Sequence, residues 1–153
     1  MVTDWEMILR MLLAAGLGGL IGWERETQRK PAGFRTLMLV SVSVSLFVIA
    51  GTQASLRHGG AFDAVRAMAG IAQGVGFIGA GAIVQAKGEV RWLTTAAALW
   101  AAAALGYAAG LGMYVVAAAG GLIVFAILRW LTLVERRRIG PVASRDREKE
   151  NEG

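Results

Sequence analysis

Charged positions along this chain fall in short clusters, and between the clusters lie long stretches with none. Thr36–Leu56, Ala67–Ala86 and Trp92–Leu128 contain no Asp, Glu, Lys or Arg. The hydrocarbon core of a bilayer is ~30 Å thick and is crossed by a helix of about 20 mainly apolar residues. The pattern therefore predicts an all-α, polytopic membrane helix bundle of about five transmembrane helices. These run Trp5–Trp23, Phe34–Leu56, Ala67–Ala86, Trp92–Leu111 and Met113–Val134. The window Trp92–Leu128 is too long for one crossing, so a tight turn is placed at Gly110-Leu111-Gly112. Within the second span, Ser41-Val42-Ser43-Val44-Ser45 alternates like a strand, but the length of its uncharged window favours a helix. Residues 1–134 form the membrane domain, and 135–153 a charged tail with too few apolar residues to build a core.

The stretch Gly70–Trp100 reads as the organising hairpin. Its first run carries Gly70, Gly74, Gly76, Gly79 and Gly81, and a charged bend, Lys87–Arg91, joins it to an alanine-rich second run. In water each helical glycine costs roughly 1 kcal/mol relative to alanine. In a bilayer, small residues let helices approach closely, so these glycines, with the pairs Gly18/Gly22 and Gly106/Gly110, predict tight helix packing within or between chains. Gly74-Val75-Gly76-Phe77-Ile78-Gly79 also satisfies a dinucleotide-binding pattern. That pattern has meaning after a strand, at a helix start, with an acidic residue about twenty positions on. Here it lies inside an uncharged span and is rejected.

The distribution of charge sets the topology. The loop between spans one and two, the Lys87–Arg91 bend and the tail hold Arg25, Arg29, Lys30, Arg35, Lys87, Arg91 and Arg136–Arg138; the opposite ends hold Arg10, Arg57 and Arg66. The positive-inside bias puts the N-terminus outside and the C-terminus in the cytoplasm. Trp23, Trp92 and Trp130 then fall at the inner interface, and Trp5 and Tyr114 at the outer one. With the basic residues confined to loops, the net charge of +5 reflects membrane orientation and not nucleic-acid binding. No cysteine is present, which removes disulfides and thiolate metal sites. Acidic Asp4 and Glu6 precede the first apolar segment, the wrong flank for a cleavable signal peptide.

Candidate chemistry is sparse. Glu24 ends span one and Arg35 starts span two, each at the unfavourable end of a helix dipole. A Glu24–Arg35 clamp across the loop would cancel both misfits, with Arg25 as the rival partner. The same charges could instead make a cytoplasmic-edge cation site or a docking site. Gln73, Thr94 and Thr95 are polar groups in or near the membrane, suited to interhelical hydrogen bonds or to ligand contact. Arg10 and Arg129 lie near span ends and can snorkel to the interface. Trp100 reads as packing bulk against glycine grooves. His58 and Asp63 share an outer loop and do not make a metal site. No catalytic triad, carboxylate dyad or P-loop is present, and no acid lies deep in a span. An enzyme is not expected, and neither is a cofactor.

Four blocks in order give a more specific signal. Gly19-Leu20-Ile21-Gly22-Trp23-Glu24-Arg25-Glu26, Ala32-Gly33-Phe34-Arg35-Thr36-Leu37, Gly74 through Gly81, and Leu93-Thr94-Thr95-Ala96-Ala97 with Trp100 resemble the MgtC/SapB family of bacterial inner-membrane proteins. The resemblance covers about Gly16–Gly112. It implies a non-enzymatic regulator or accessory factor in growth at low magnesium and, in pathogens, in virulence. It also implies action on other inner-membrane proteins, the ATP synthase among them. The functional or partner-binding candidates read from the residues are Glu24, Arg25, Arg35, Thr36, Gln73, Thr94 and Thr95. The alternative is an oligomeric channel or transporter for magnesium or another cation. Longer family members carry a soluble ACT-like domain after the last span, and the charged tail here suggests a short form without it.

Overall fold

The computed structural model describes residues 3–86 and 89–138. Lys87 and Gly88 of the expected bend and residues 139–153 of the tail lie outside the described residues. The elements are α1 (Asp4–Thr27), α2 (Phe34–Arg57), α3 (Ala64–Ala82), β1 (Val84–Ala86), β2 (Glu89–Arg91), α4 (Leu93–Gly110) and α5 (Tyr114–Arg138). The expected all-helical bundle is present. By length and composition, α1, α2 and α4 are each able to cross a membrane, and α5 contributes a shorter apolar stretch, Tyr114–Trp130.

The core is a three-helix unit in which α1, α2 and α4 all pack on one another. Small residues set its spacing. A Cβ on Gly18 would come within 2.6 Å of the Leu37 carbonyl, and one on Gly22 within 2.6 Å of the Phe34 Cα. From α4, a Cβ on Gly106 would lie 2.1 Å from the Ser41 carbonyl. One on Gly110 would lie 2.9 Å from the Val48 Cβ. Backbones are thus in contact along both seams, and no larger residue fits. Ala14, Ile21, Leu37, Leu99, Ala102 and Ala109 fill the centre. α5 closes the bundle against α1 and α4, with Gly121 under Leu17.

Chain reversals follow local chemistry. Thr3 caps α1 by accepting from the Glu6 N–H (3.3 Å), and Asp63 caps α3 by accepting from the Arg66 N–H (2.9 Å). The α4–α5 turn falls where it was expected, with Gly112 at φ +78°, a conformation that glycine adopts without steric penalty. Arg10 lies against this turn. Its guanidinium donates to the Gly110 carbonyl (2.9 Å) and to Glu6 (2.6 Å), and the Tyr114 hydroxyl donates to the same Glu6 oxygen (3.1 Å). Arg10 reaches toward its own end of the span and is held there by Glu6 and the turn. It satisfies a carbonyl at the end of α4 that no intrahelical donor can reach.

The hairpin Gly70–Trp100 departs from expectation. Helix α3 ends at Ala82, and the chain turns into a short antiparallel pair, Val84 opposite Arg91 and Ala86 opposite Glu89. Gln85 sits in the middle of β1, pairing with Val90. Helix α3 leans on α4 and barely on α2. Its glycines differ from those of the core: Cβ atoms on Gly70, Gly74 and Gly81 would meet nothing within 4 Å. These three do not pack here. Gly76 and Gly79 do, at ordinary contact distance from Trp100 (3.9 and 3.8 Å), the packing role expected for that tryptophan. The glycine-rich segment is thus the edge of the bundle and not its centre.

Candidate functional site

Charged side chains are rare inside this bundle, and the two most deeply buried are adjacent. Glu24 and Arg25 each expose only 2% of their surface. Both lie in the last turns of α1, which is flanked by α2, α4 and α5, so that consecutive residues can be covered from different sides. The closest approach within the pair, Arg25 Nη1 to Glu24 Oε2, is 3.7 Å. That is an ion pair but longer than a hydrogen bond.

The pair is incompletely satisfied. Neither carboxylate oxygen of Glu24, nor Nε or Nη2 of Arg25, has a hydrogen-bond partner among the described residues. The buried hydroxyl of Thr95, near the start of α4, is in the same condition. So are those of Ser41 and Ser45, deeper in the core on α2. A buried polar atom left unpaired costs about 1–3 kcal/mol, more when charged. Such groups are few in native folds, and each calls for an explanation in function, strain, ordered water or a bound ion. Glu24, Arg25 and Thr95 therefore define the candidate site.

Around them, the loop-bearing end is held by contacts of a different kind. The Glu26 carboxylate accepts from the Phe34 N–H at 2.9 Å, supplying α2 with the cap that Gly33 lacks. The Thr27 hydroxyl donates to the Glu24 carbonyl at 2.7 Å. The Lys30 ammonium sits 5.6 Å from the centre of the Trp92 ring, tying the α1–α2 loop to the start of α4. Trp92 has φ +72°, a left-handed conformation uncommon for a bulky residue, and directly precedes α4.

The candidates read from sequence divide into two groups. Glu24 and Arg25 are buried as a pair near the end of α1, and Thr95 is buried near the start of α4. Arg35, Thr36, Gln73 and Thr94 are exposed. The Glu24–Arg35 clamp is not formed: the cation beside Glu24 is Arg25, and Arg35 points to the surface. Geometry gives the reason, because α1 and α2 touch at backbone distance through Gly22, which leaves no room for two charged side chains between them. Sequence reasoning missed Glu26 as the bridging acid. Its signal was a carboxylate just ahead of a helix start that has only glycine in the capping position.

A family model described as the MgtC family matches residues 11–137. The chain belongs to the MgtC family. Among curated relatives, SapB of Bacillus subtilis is 37% identical over 143 residues, covering 90% of this chain and 61% of SapB. YhiD of Escherichia coli K12, whose name proposes a magnesium transporter, is 40% identical over 128 residues, covering 80% of this chain and 59% of YhiD. MgtC of Salmonella typhimurium LT2 is 39% identical over 117 residues, covering 76% of this chain and 48% of MgtC. The chain thus spans about half to three-fifths of the length of these relatives. No solved structure matches it significantly. The matched region contains Glu24, Arg25 and Thr95, so the buried pair lies inside the family domain. With its apolar helices, family membership makes the chain a membrane protein.

Proposed function

We propose that this MgtC-family chain is a multi-pass inner-membrane protein that regulates other membrane proteins from its loop-bearing, cytoplasmic end. Adaptation to low magnesium is the setting that the family points to. In this reading all five helices cross or enter the bilayer, the N-terminus is outside, and the basic α1–α2 loop and the β1–β2 hairpin face the cell interior.

One observation carries the proposal: the only charges sealed in the described bundle, Glu24 and Arg25, sit at that end and keep unused hydrogen-bonding capacity. The backbone-to-backbone seams of α1, α2 and α4 support a regulatory role over conduction through one chain, since Gly18, Gly22, Gly106 and Gly110 leave no lumen between them. Exposed Arg35, Thr36 and Thr94 surround the pair's end of the molecule and offer a polar contact surface. The ATP synthase is one partner that family likeness suggests. In-membrane photocrosslinking from position 35 tests this reading. The proposal expects a specific membrane complex that weakens in Glu24→Gln; recovery of crosslinks only to a second copy would contradict it.

An oligomeric magnesium transporter is the second reading. It is favoured by the name of YhiD and by Gln73, an amide exposed in the middle of the uncharged run of α3. Magnesium flux into liposomes, abolished by Gln73→Leu, would support it; silent liposomes would remove it.

A further inference from the structure

Helices α2 and α3 barely touch, and between them runs an open groove of about 480 Å³. Leu39, Val40 and Phe47 form its α2 wall, and Gly74 and Ile78 its α3 wall. The α3 wall continues onto an exposed face of that helix, where Gly70, Gln73, Gly74, Phe77 and Gly81 recur at helical spacing. Cβ atoms on Gly70, Gly74 and Gly81 would meet nothing within 4 Å, so bare backbone is presented there. Phe77 stands beside the glycines at 83% exposure. The Gln73 amide, at the centre of this nineteen-residue helix, makes no hydrogen bond among the described residues.

We infer that this face of α3 is the contact between two copies of the chain, packed about a two-fold axis along the membrane normal. The inference rests on reading α3 as a membrane helix. Lipid tails can fill the groove, but hydrocarbon offers a glutamine amide neither donor nor acceptor, and an unpaired amide there is costly. The cover is therefore protein, and slim enough at the glycines for backbones to meet. A second copy meets both conditions by symmetry. Copies of one chain share an orientation in the bilayer, so their α3 helices run parallel and residues near the axis meet their own counterparts. Gln73 then faces Gln73 at one depth, and an amide both donates and accepts, so the pair satisfies itself. Gly70 and Gly74 likewise oppose glycine, the small-residue geometry in which membrane helices cross closely. On either side of the glycines, Phe77 and Ile78 supply apolar bulk to seal the seam. An unlike protein would have to bring a polar group to the same depth by coincidence.

The chain has no native cysteine, so Phe77→Cys and, as a control on α5, Leu122→Cys can each be oxidised in native membranes. Phe77→Cys should form a disulfide-linked dimer, and Leu122→Cys, exposed on another helix, should not. Energy transfer between fluorescently labelled copies, at falling protein-to-detergent ratio, then measures the strength of the contact. Gln73→Leu should weaken it about three- to tenfold, and Gln73→Asn should keep part of it. Gly74→Leu should abolish it. That side chain enters open space within one chain, so unchanged unfolding of the monomer separates loss of contact from loss of fold. No link at Phe77→Cys, or equal links at both positions, would overturn the inference. So would a dimer indifferent to Gln73→Leu and Gly74→Leu, or a Phe77→Cys adduct with a different protein and none with itself. No partner protein enters the measurement, so its failure is separable from failure of the regulatory reading.

Discussion

The Glu26 carboxylate, at the end of α1, accepts a hydrogen bond from the backbone N–H of Phe34, 2.9 Å away in the first turn of α2. A negative charge here meets the positive end of the α2 dipole and satisfies a donor with no partner inside the helix. The α1–α2 turn is therefore fixed by an acid capping a helix. No ion pair between Glu24 and Arg35 is needed.

Glu26→Gln keeps an acceptor but removes the charge, and Glu26→Ala removes both. Loss of a helix N-cap costs about 1 kcal/mol. Thermal unfolding in detergent should therefore rank wild type above Glu26→Gln above Glu26→Ala. Equal midpoints would show that this hydrogen bond does not fix the turn.

The buried pair gives a sharper result. Removing one member of a buried ion pair costs about 3–5 kcal/mol because the other charge is stranded, whereas replacing both can be nearly neutral. Glu24→Gln and Arg25→Gln should each lower the unfolding midpoint strongly, and the double variant should recover most of the loss. Exchanging the charges at Glu24 and Arg35 should restore nothing. Recovery in that exchange would bring back the clamp across the loop.

Two glycine pairs that look alike in sequence should behave in opposite ways. Gly106→Ala places a methyl 2.1 Å from the Ser41 carbonyl, an overlap costing about 1–3 kcal/mol or more. Gly74→Ala adds a methyl in open space and exchanges glycine for a better helix former, so it should be neutral or stabilising by up to about 1 kcal/mol in the monomer. Unfolding of both variants in detergent checks the contrast. Similar losses at the two sites would mean that α3 packs more closely than described.

At the opposite end, Arg10→Leu removes the donor to the Gly110 carbonyl and leaves that acceptor unpaired, at a cost of about 1–3 kcal/mol. Arg10→Lys keeps one donor and should lose less. Hydrogen exchange of the α4–α5 turn is the direct readout. Unchanged protection of residues 110–114 in Arg10→Leu would contradict the capping role.

These contrasts mark what the sequence made legible. Charge-free windows located α2, α3 and α4, and the Gly110–Gly112 turn followed from the length of the last window. Side-chain direction was not legible. Gly70/Gly74 and Gly106/Gly110 have the same spacing, and only the fold decides which pair faces a neighbouring backbone. Arg10 was legible as a span-end arginine, but its bond to Gly110 depends on where α4 ends. The β1–β2 pair was hidden because Val84–Ala86 continues the uncharged run of α3. Of the site, Glu24, Arg25 and Thr95 were found by type and position, but the clamp assigned to Arg35 failed because Gly22 draws the two helices too close.

Site-directed labelling tests the layout most directly, since the chain has no native cysteine. Gly60→Cys and Pro31→Cys place one thiol in each of the loops flanking α2, and a membrane-impermeant maleimide is applied to intact spheroplasts. Position 60 should label at once, and position 31 only after the membrane is breached. Immediate labelling of position 31, or equal labelling of both, would put the α1–α2 loop outside the cell and remove the cytoplasmic role proposed for the end where Glu24 and Arg25 are buried.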